Sequence, residues 1–198
     1  MKIIGVTGSF GAGKSTVAGF FGELGAVVLD ADRLAHETLD RGGKVYGTVV
    51  GSFGPAVLDG RGRIDRKRLG GMVFRDKRLL ARLCAIIHPA VIKEIKGRIQ
   101  ALRRRRPSAA VVVDAPLLIE AGLVPLVDTV IVVKTDPKVQ IARCRKKTGM
   151  SVAPITARIR AQMPLREKIR YADFVINNNR TRQEVRREVR RIWEKMRW

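Results

Sequence analysis

Five short apolar runs, Ile3–Val6, Ala26–Leu29, Ala109–Val113, Thr129–Val133 and Phe174–Ile176, recur along the chain, and each is nearly continuous rather than alternating. Strict alternation marks a strand with one wet face, whereas unbroken valine and isoleucine mark strands covered on both faces, as in parallel sheets. Helical spacing separates the runs. Val17, Phe20, Phe21 and Leu24 fall at i, i+3, i+4 and i+7 after the first of them. Near the end, Thr181 and Glu184 have the spacing of a capping box, with Val185, Val189, Ile192, Trp193 and Met196 following on one face. The pattern predicts an α/β fold of three layers around a five-stranded parallel sheet.

Two stretches are too long to be simple crossovers. Residues 34–104 carry helical patterns at Leu34–Leu39, Arg66–Phe74, Leu79–Ile87 and Ala90–Leu102, broken by Arg41–Gly43 and Phe53–Pro55, and read as an inserted helical substrate domain. His88 precedes Pro89, a pairing that usually ends a helix. Residues 138–166 form a second, basic helical insertion with a break at Lys147–Gly149. From 134 to 170 there are eleven Lys and Arg against two Asp and Glu, a composition suited to a lid that supplies cations and excludes water. The core is then 1–33, 105–137 and 167–198.

Composition narrows the class. The 198 residues are 45% hydrophobic, as in a globular protein, and no apolar stretch approaches the roughly 18–20 residues that span a bilayer. Met1–Ile4 runs straight into the first strand, so no leader is expected and a cytoplasmic location is. Cys84 and Cys144 stand far apart, which points to ordinary thiols. The net charge of +22 suits polyanionic ligands and would also hold RNA or DNA loosely. No aromatic residues interleave with Arg103–Arg106, so no specific nucleic-acid site is expected.

The chemistry begins between the first strand and first helix. Gly8-Ser9-Phe10-Gly11-Ala12-Gly13-Lys14-Ser15, with Thr16 following, fits the phosphate-loop pattern G-x-x-x-x-G-K-[ST]. A strand turning through glycines into a helix aims backbone N–H groups and the positive helix end at one spot. Lys14 then reaches the β- and γ-phosphates, and the Ser15 hydroxyl can join the coordination of Mg²⁺. A purine nucleoside triphosphate is the expected ligand. A guanine-reading N-K-x-D is missing from the sequence. The second strand leads into Asp30-Ala31-Asp32, and alternation would send both carboxylates to the same side of the strand, one to take a proton from an attacking hydroxyl and the other to orient substrate or a metal-bound water. Alternatively, one of them caps a helix starting at Arg33 or Leu34. Asp114, ending the third strand, is a further acid near the metal or a turn residue.

Over nearly its whole length the chain resembles the dephospho-coenzyme A kinases. The likeness rests on Thr7–Ser15 at the phosphate loop, Asp30-Ala31-Asp32, His88-Pro89, Pro116-Leu117-Leu118-Ile119-Glu120, Gln140 with Arg143, Arg158 with Gln162, and Ala172-Asp173-Phe174-Val175-Ile176-Asn177-Asn178. The resemblance implies a nucleoside-monophosphate-kinase-like P-loop fold with a coenzyme A domain and a lid, transferring a phosphoryl group from ATP to the 3′-hydroxyl of dephospho-CoA. It further implies Asp32 as the base, Lys14 and Arg143 as stabilisers of the γ-phosphoryl charge, and Asn177-Asn178 beside the adenine. Asp30, His36, His88, Pro116 and Leu117 become substrate contacts. Ser9, Phe10, His36 and Asn179 stand where the family often has Gly, Ile, Arg and Gly. A nucleotide or sugar kinase of the same fold, or a nucleic-acid-binding P-loop protein, are the competing readings.

Overall fold

The computed structural model describes residues 1–196, which form two compact units: Met1–Asp30 with the chain from Arg98 onward, and Ala31–Gly97. In chain order the elements are β1 (Lys2–Gly8), α1 (Lys14–Glu23), β2 (Val27–Asp30), α2 (Ala31–Leu39), α3 (Tyr46–Phe53), α4 (Arg66–Val73), α5 (Lys77–Arg105), β3 (Ala110–Asp114), β4 (Thr129–Lys134), α6 (Pro137–Thr148), α7 (Val152–Arg160), α8 (Leu165–Ile169), β5 (Phe174–Asn177) and α9 (Arg182–Lys195). All five strands are parallel, in the order β2-β3-β1-β4-β5. The centre of the sheet is therefore β1. The chain leaves it for one edge, returns, and later builds the other, which opens a ligand crevice at the C-terminal end of β1.

One face of the sheet is covered by α1 and α9. Val17, Phe20 and Phe21 from α1 and Val185, Val189 and Ile192 from α9 bury against Ile4, Val6, Val112, Ile131, Val133 and Ile176. Burying a phenylalanine of this kind contributes about 2–3 kcal/mol, so the first helix after the glycine loop is anchored by its own side chains. The opposite edge of the sheet, at the strands' N-termini, is stapled by a repeated device. The Asp128 N–H donates to the Ile3 carbonyl at 2.8 Å while its carboxylate accepts the Ile3 N–H at 2.8 Å. Asp173 does the same to Val130, at 2.9 and 2.7 Å. Each aspartate extends the ladder by one rung and satisfies backbone groups that the neighbouring strand no longer reaches.

In the second unit the apolar residues of α3, α4 and the first half of α5 close on one another: Val49, Phe53, Leu69 and Val73 are buried against Leu79, Leu83, Ile86 and Ile87. Two sequence expectations give way here. Tyr46–Phe53, rich in valine and glycine, has no helical reading by propensity, yet it is helical because Val49 and Phe53, four residues apart, share the core side. The expected break at His88-Pro89 is not there, and α5 runs through Pro89 for 29 residues. Apolar residues continue on both sides of the proline, Leu83 and Ile87 half-buried before it and Val91, Ile95 and Ile99 buried after it, and their burial outweighs the amide hydrogen bond that proline cannot make. Among the described residues no helix is long and apolar enough to cross a membrane.

Candidate active site

Between β1 and α1 the chain turns through Gly11 (φ 79°) and Gly13 (φ 88°). Both conformations are left-handed, and neither position has room for a side chain. A Cβ on Gly11 would strike Cys144 Sγ, and one on Gly13 would strike Asn178 Nδ2. The amides of Gly11, Gly13 and Ser15 make no hydrogen bond to any described residue. No acidic side chain occupies the first turn of α1, and no side chain caps its start. Lys14 is buried there, 7% exposed, with its ammonium donating to the Ser9 carbonyl at 3.2 Å, while Ser15 and Thr16 are exposed. Amides with no partner among the described residues, a helix N-terminus with no acidic or capping side chain, and a lysine together suit an anion.

The loop owes its shape to three distant segments. Thr135 Oγ1 and Asn178 Nδ2 both donate to the Ala12 carbonyl, at 2.9 and 2.8 Å. The Phe10 N–H donates to Gln162 Oε1 at 2.8 Å, and the Phe10 carbonyl accepts from Gln140 Nε2. Arg143 Nη1 donates to the Asn178 carbonyl at 2.8 Å, and the Arg158 guanidinium lies 5.3 Å from the centre of the Phe10 ring. Of the asparagine turn, Asn178 is thus bonded to the loop, whereas Asn177 accepts the Asn179 N–H at 3.1 Å. Asn179 has no left-handed backbone, since among the described residues only glycines have positive φ, and its side chain accepts the Asp136 N–H at 2.9 Å. Behind Gly11, burial pushes the Cys144 thiol up against the pull of Lys14, Lys147 and Arg158, so this residue serves as neutral filling.

Pro116 and Leu117 follow β3. The Pro116 carbonyl accepts from Thr7 Oγ1 at 3.2 Å and from Lys168 Nζ at 2.7 Å. Lys168 has no exposed surface and grips both Glu120 oxygens, at 2.8 and 2.9 Å, while Glu120 also accepts the Met163 N–H at 3.0 Å. Burial lowers the affinity of Lys168 for its proton, and Glu120 opposes that shift.

The carboxylates are not arranged by strand alternation. Asp30 ends β2, in register with the buried Asp114 at the end of β3, which in turn pairs with Val6 of β1. Asp32 is not on the strand at all: α2 begins at Ala31, two to three residues earlier than expected, and Asp32 lies in its first turn, where the helix dipole favours a negative charge. Asp32, His36 and His88 all belong to the unit Ala31–Gly97. His36 is exposed in the last turn of α2, and His88 is half-buried inside α5.

Comparison with known proteins decides the family. The dephospho-CoA kinase family model matches residues 2–184. The chain belongs to the dephospho-CoA kinase family. A relative, the dephospho-CoA kinase of Geobacillus kaustophilus, is 44% identical over 186 residues, covering 94% of this chain and 92% of its own. Among solved structures, a protein of Thermus thermophilus superposes with a TM-score of 0.80 at 31% identity, covering 100% of this chain and 98% of its own. The dephospho-CoA kinase of Campylobacter jejuni superposes with a TM-score of 0.70 at 30% identity, covering 99% and 98%.

The chain is accordingly an ATP-dependent kinase of dephospho-CoA, acting at the final step of coenzyme A biosynthesis. In this dephospho-CoA kinase the structure brings in two residues that the sequence did not single out: Thr135 at the phosphate loop and Lys168 at the Pro116–Glu120 turn after β3. A threonine after a strand and a lysine in a basic segment are commonplace. Only the fold shows that one bonds to the Ala12 carbonyl, 123 positions away, and that the other is sealed from water.

Proposed function

We propose that phosphoryl transfer in this dephospho-CoA kinase is run by Asp32, Lys14 and Arg143, with Asp32 accepting the proton of the ribose 3′-hydroxyl as it attacks. Lys14 and Arg143 carry the negative charge that shifts onto the γ-phosphoryl oxygens. Residues 8–16 cradle the ATP phosphates, and Asn177 and Asn178 border the base. Asp30, His36, His88, Pro116 and Leu117 contact dephospho-CoA. In this reading 34–104 is the coenzyme A domain, 138–166 the lid, and 1–33, 105–137 and 167–198 the nucleotide core of a cytoplasmic enzyme.

The observation that carries the reading is the phosphate loop, whose amides at Gly11, Gly13 and Ser15 make no hydrogen bond to a described residue, and its buried Lys14. Mg²⁺ fits the same place. Among the described residues no three His, Cys, Asp or Glu gather to hold a metal, and Mg²⁺ characteristically takes few protein ligands beside substrate phosphates and water. The exposed Ser15 hydroxyl would be such a ligand. When bound, the ion neutralises charge on the β- and γ-phosphates.

The test pairs a variant with an analogue. Asp32→Asn keeps the shape and removes the proton acceptor, so kcat should fall by roughly 10²- to 10⁴-fold with ATP affinity little changed. 3′-Deoxy-dephospho-CoA should bind and not react. Retention of more than about a third of the wild-type kcat in Asp32→Asn would remove that residue from its role.

A further inference from the structure

Each half of the basic segment pairs a glutamine with an arginine about a turn away: Gln140 with Arg143 in α6, then Gln162, just beyond α7, with Arg158 inside it. Both glutamines converge on a single residue, Phe10, and bond the two peptide groups on either side of its Cα. Gln140 donates to the Phe10 carbonyl, and Gln162 accepts the Phe10 N–H at 2.8 Å. The two bonds have opposite polarity, and a neutral amide is the one side chain of this length able to serve either end, since a carboxylate only accepts and an ammonium only donates. Gln140 is 4% exposed, so its bond is shielded from competing water. With the peptide groups before and after Phe10 each held by one glutamine, neither can rotate freely, and the elements holding them cannot slide along the loop without breaking a bond.

We propose that Gln140 and Gln162 are positioning residues: by bonding the two peptide groups that flank Phe10 they set the register of the lid segments against the phosphate loop and thereby aim Arg143 and Arg158 at the transferring phosphoryl group. This rests on Arg143 acting as a lid cation in the transfer. The glutamines touch the loop and act on the reaction through the arginines, so their loss should appear in kcat more than in stability or in KM for dephospho-CoA.

The experiment measures steady-state kinetics and thermal unfolding for Gln140→Met, Gln140→Glu, Gln162→Met and Gln162→Glu, each alone and combined with Arg143→Ala (Gln140 series) or Arg158→Ala (Gln162 series). The methionine variants should lose about 10- to 100-fold in kcat, the cost of misplacing a group near the reacting atoms, with KM for dephospho-CoA within about twofold. Glutamate at 162 keeps an acceptor for the Phe10 N–H and should be milder than methionine there. Glutamate at 140 sets acceptor against acceptor and should be worse than methionine. Both glutamates add the same charge beside the same residue, Phe10, so the reversed order isolates hydrogen-bond polarity. In the arginine-lacking backgrounds the methionine changes should cost less than about a further threefold, since residues acting as a unit are not additive. The same order at both positions, or full multiplicative losses without the arginines, overturns the proposal alone. Wild-type kcat in Arg143→Ala overturns the lid-cation reading beneath it.

Discussion

Gly13 and Gly19 lie a turn and a half apart, yet substituting them should have opposite effects. Gly13 holds φ 88° with Asn178 Nδ2 where a Cβ would go, whereas Gly19, inside α1, has nothing within 4 Å of its would-be Cβ. An L residue forced into the left-handed region costs about 1–2 kcal/mol before any collision is counted. Alanine in an open helix interior instead gains about 0.5–1 kcal/mol over glycine. Gly13→Ala should therefore lower the unfolding midpoint and weaken ATP binding, while Gly19→Ala should raise the midpoint and leave ATP affinity alone, as read by denaturation and nucleotide titration. A Gly13→Ala protein as stable as wild type would mean that the loop relaxes at little cost. At this scale the sequence identifies the loop's glycines and Lys14 because their chemistry is tied to local spacing. It is silent on Lys168 and Thr135, because each owes its place to a partner dozens of positions away.

Elements follow the same logic one level up. The strands were readable within a residue or two, because continuous runs such as Val111–Val113 have no other home than a buried sheet. The helices α2, α3 and α5 departed from expectation wherever tertiary packing overruled a local signal: the first turn of α2 took in Ala31 and Asp32, α3 formed from poor helix formers, and α5 passed through Pro89. By contrast α9 kept its expected start, since its capping box is local: Thr181 Oγ1 accepts the Glu184 N–H at 3.3 Å, and Glu184 accepts the Thr181 N–H at 2.9 Å. The Thr181 hydroxyl, then its amide, hold the Glu184 carboxyl below its ordinary value of 4.5. A carboxyl depressed in the folded state stabilises the fold above its unfolded value and loses that contribution as pH falls through the folded one. Between neutrality and pH 4.5 the contribution is nearly constant, and below it the stability of wild type should fall more steeply than that of Glu184→Gln. Parallel acid limbs in the two unfolding profiles would remove Glu184 from this account.

For the molecule as a whole, the +22 charge exceeds what one nucleotide and one acyl-carrier substrate require. Exposed arginines crowd α9, where Arg187 and Arg191, with Arg180 just before the helix, line a surface groove with Glu184 and Glu188. The aromatic residue of α9, Trp193, packs against the core, and arginines with no aromatic ring free to stack on read phosphates and not bases. Two unrelated single-stranded oligonucleotides of equal length should bind with equal affinity, measured by fluorescence anisotropy, and both should be released as salt rises. A preference for one sequence that survives high salt would show base recognition instead. The sheet order carries a consequence in time. Lys2 of β1 pairs with Ala110 of β3, and Ile4 with Thr129 of β4, so of the five strands β1 waits longest for a neighbour on either side. At synthesis rates of about 5–20 residues per second, it waits roughly 5–20 s for its first neighbour. The whole of Ala31–Gly97 is synthesised in that interval, so this inserted unit can mature before the sheet it interrupts exists, while an unpaired apolar strand bearing the phosphate loop stays in need of shelter from other nascent chains.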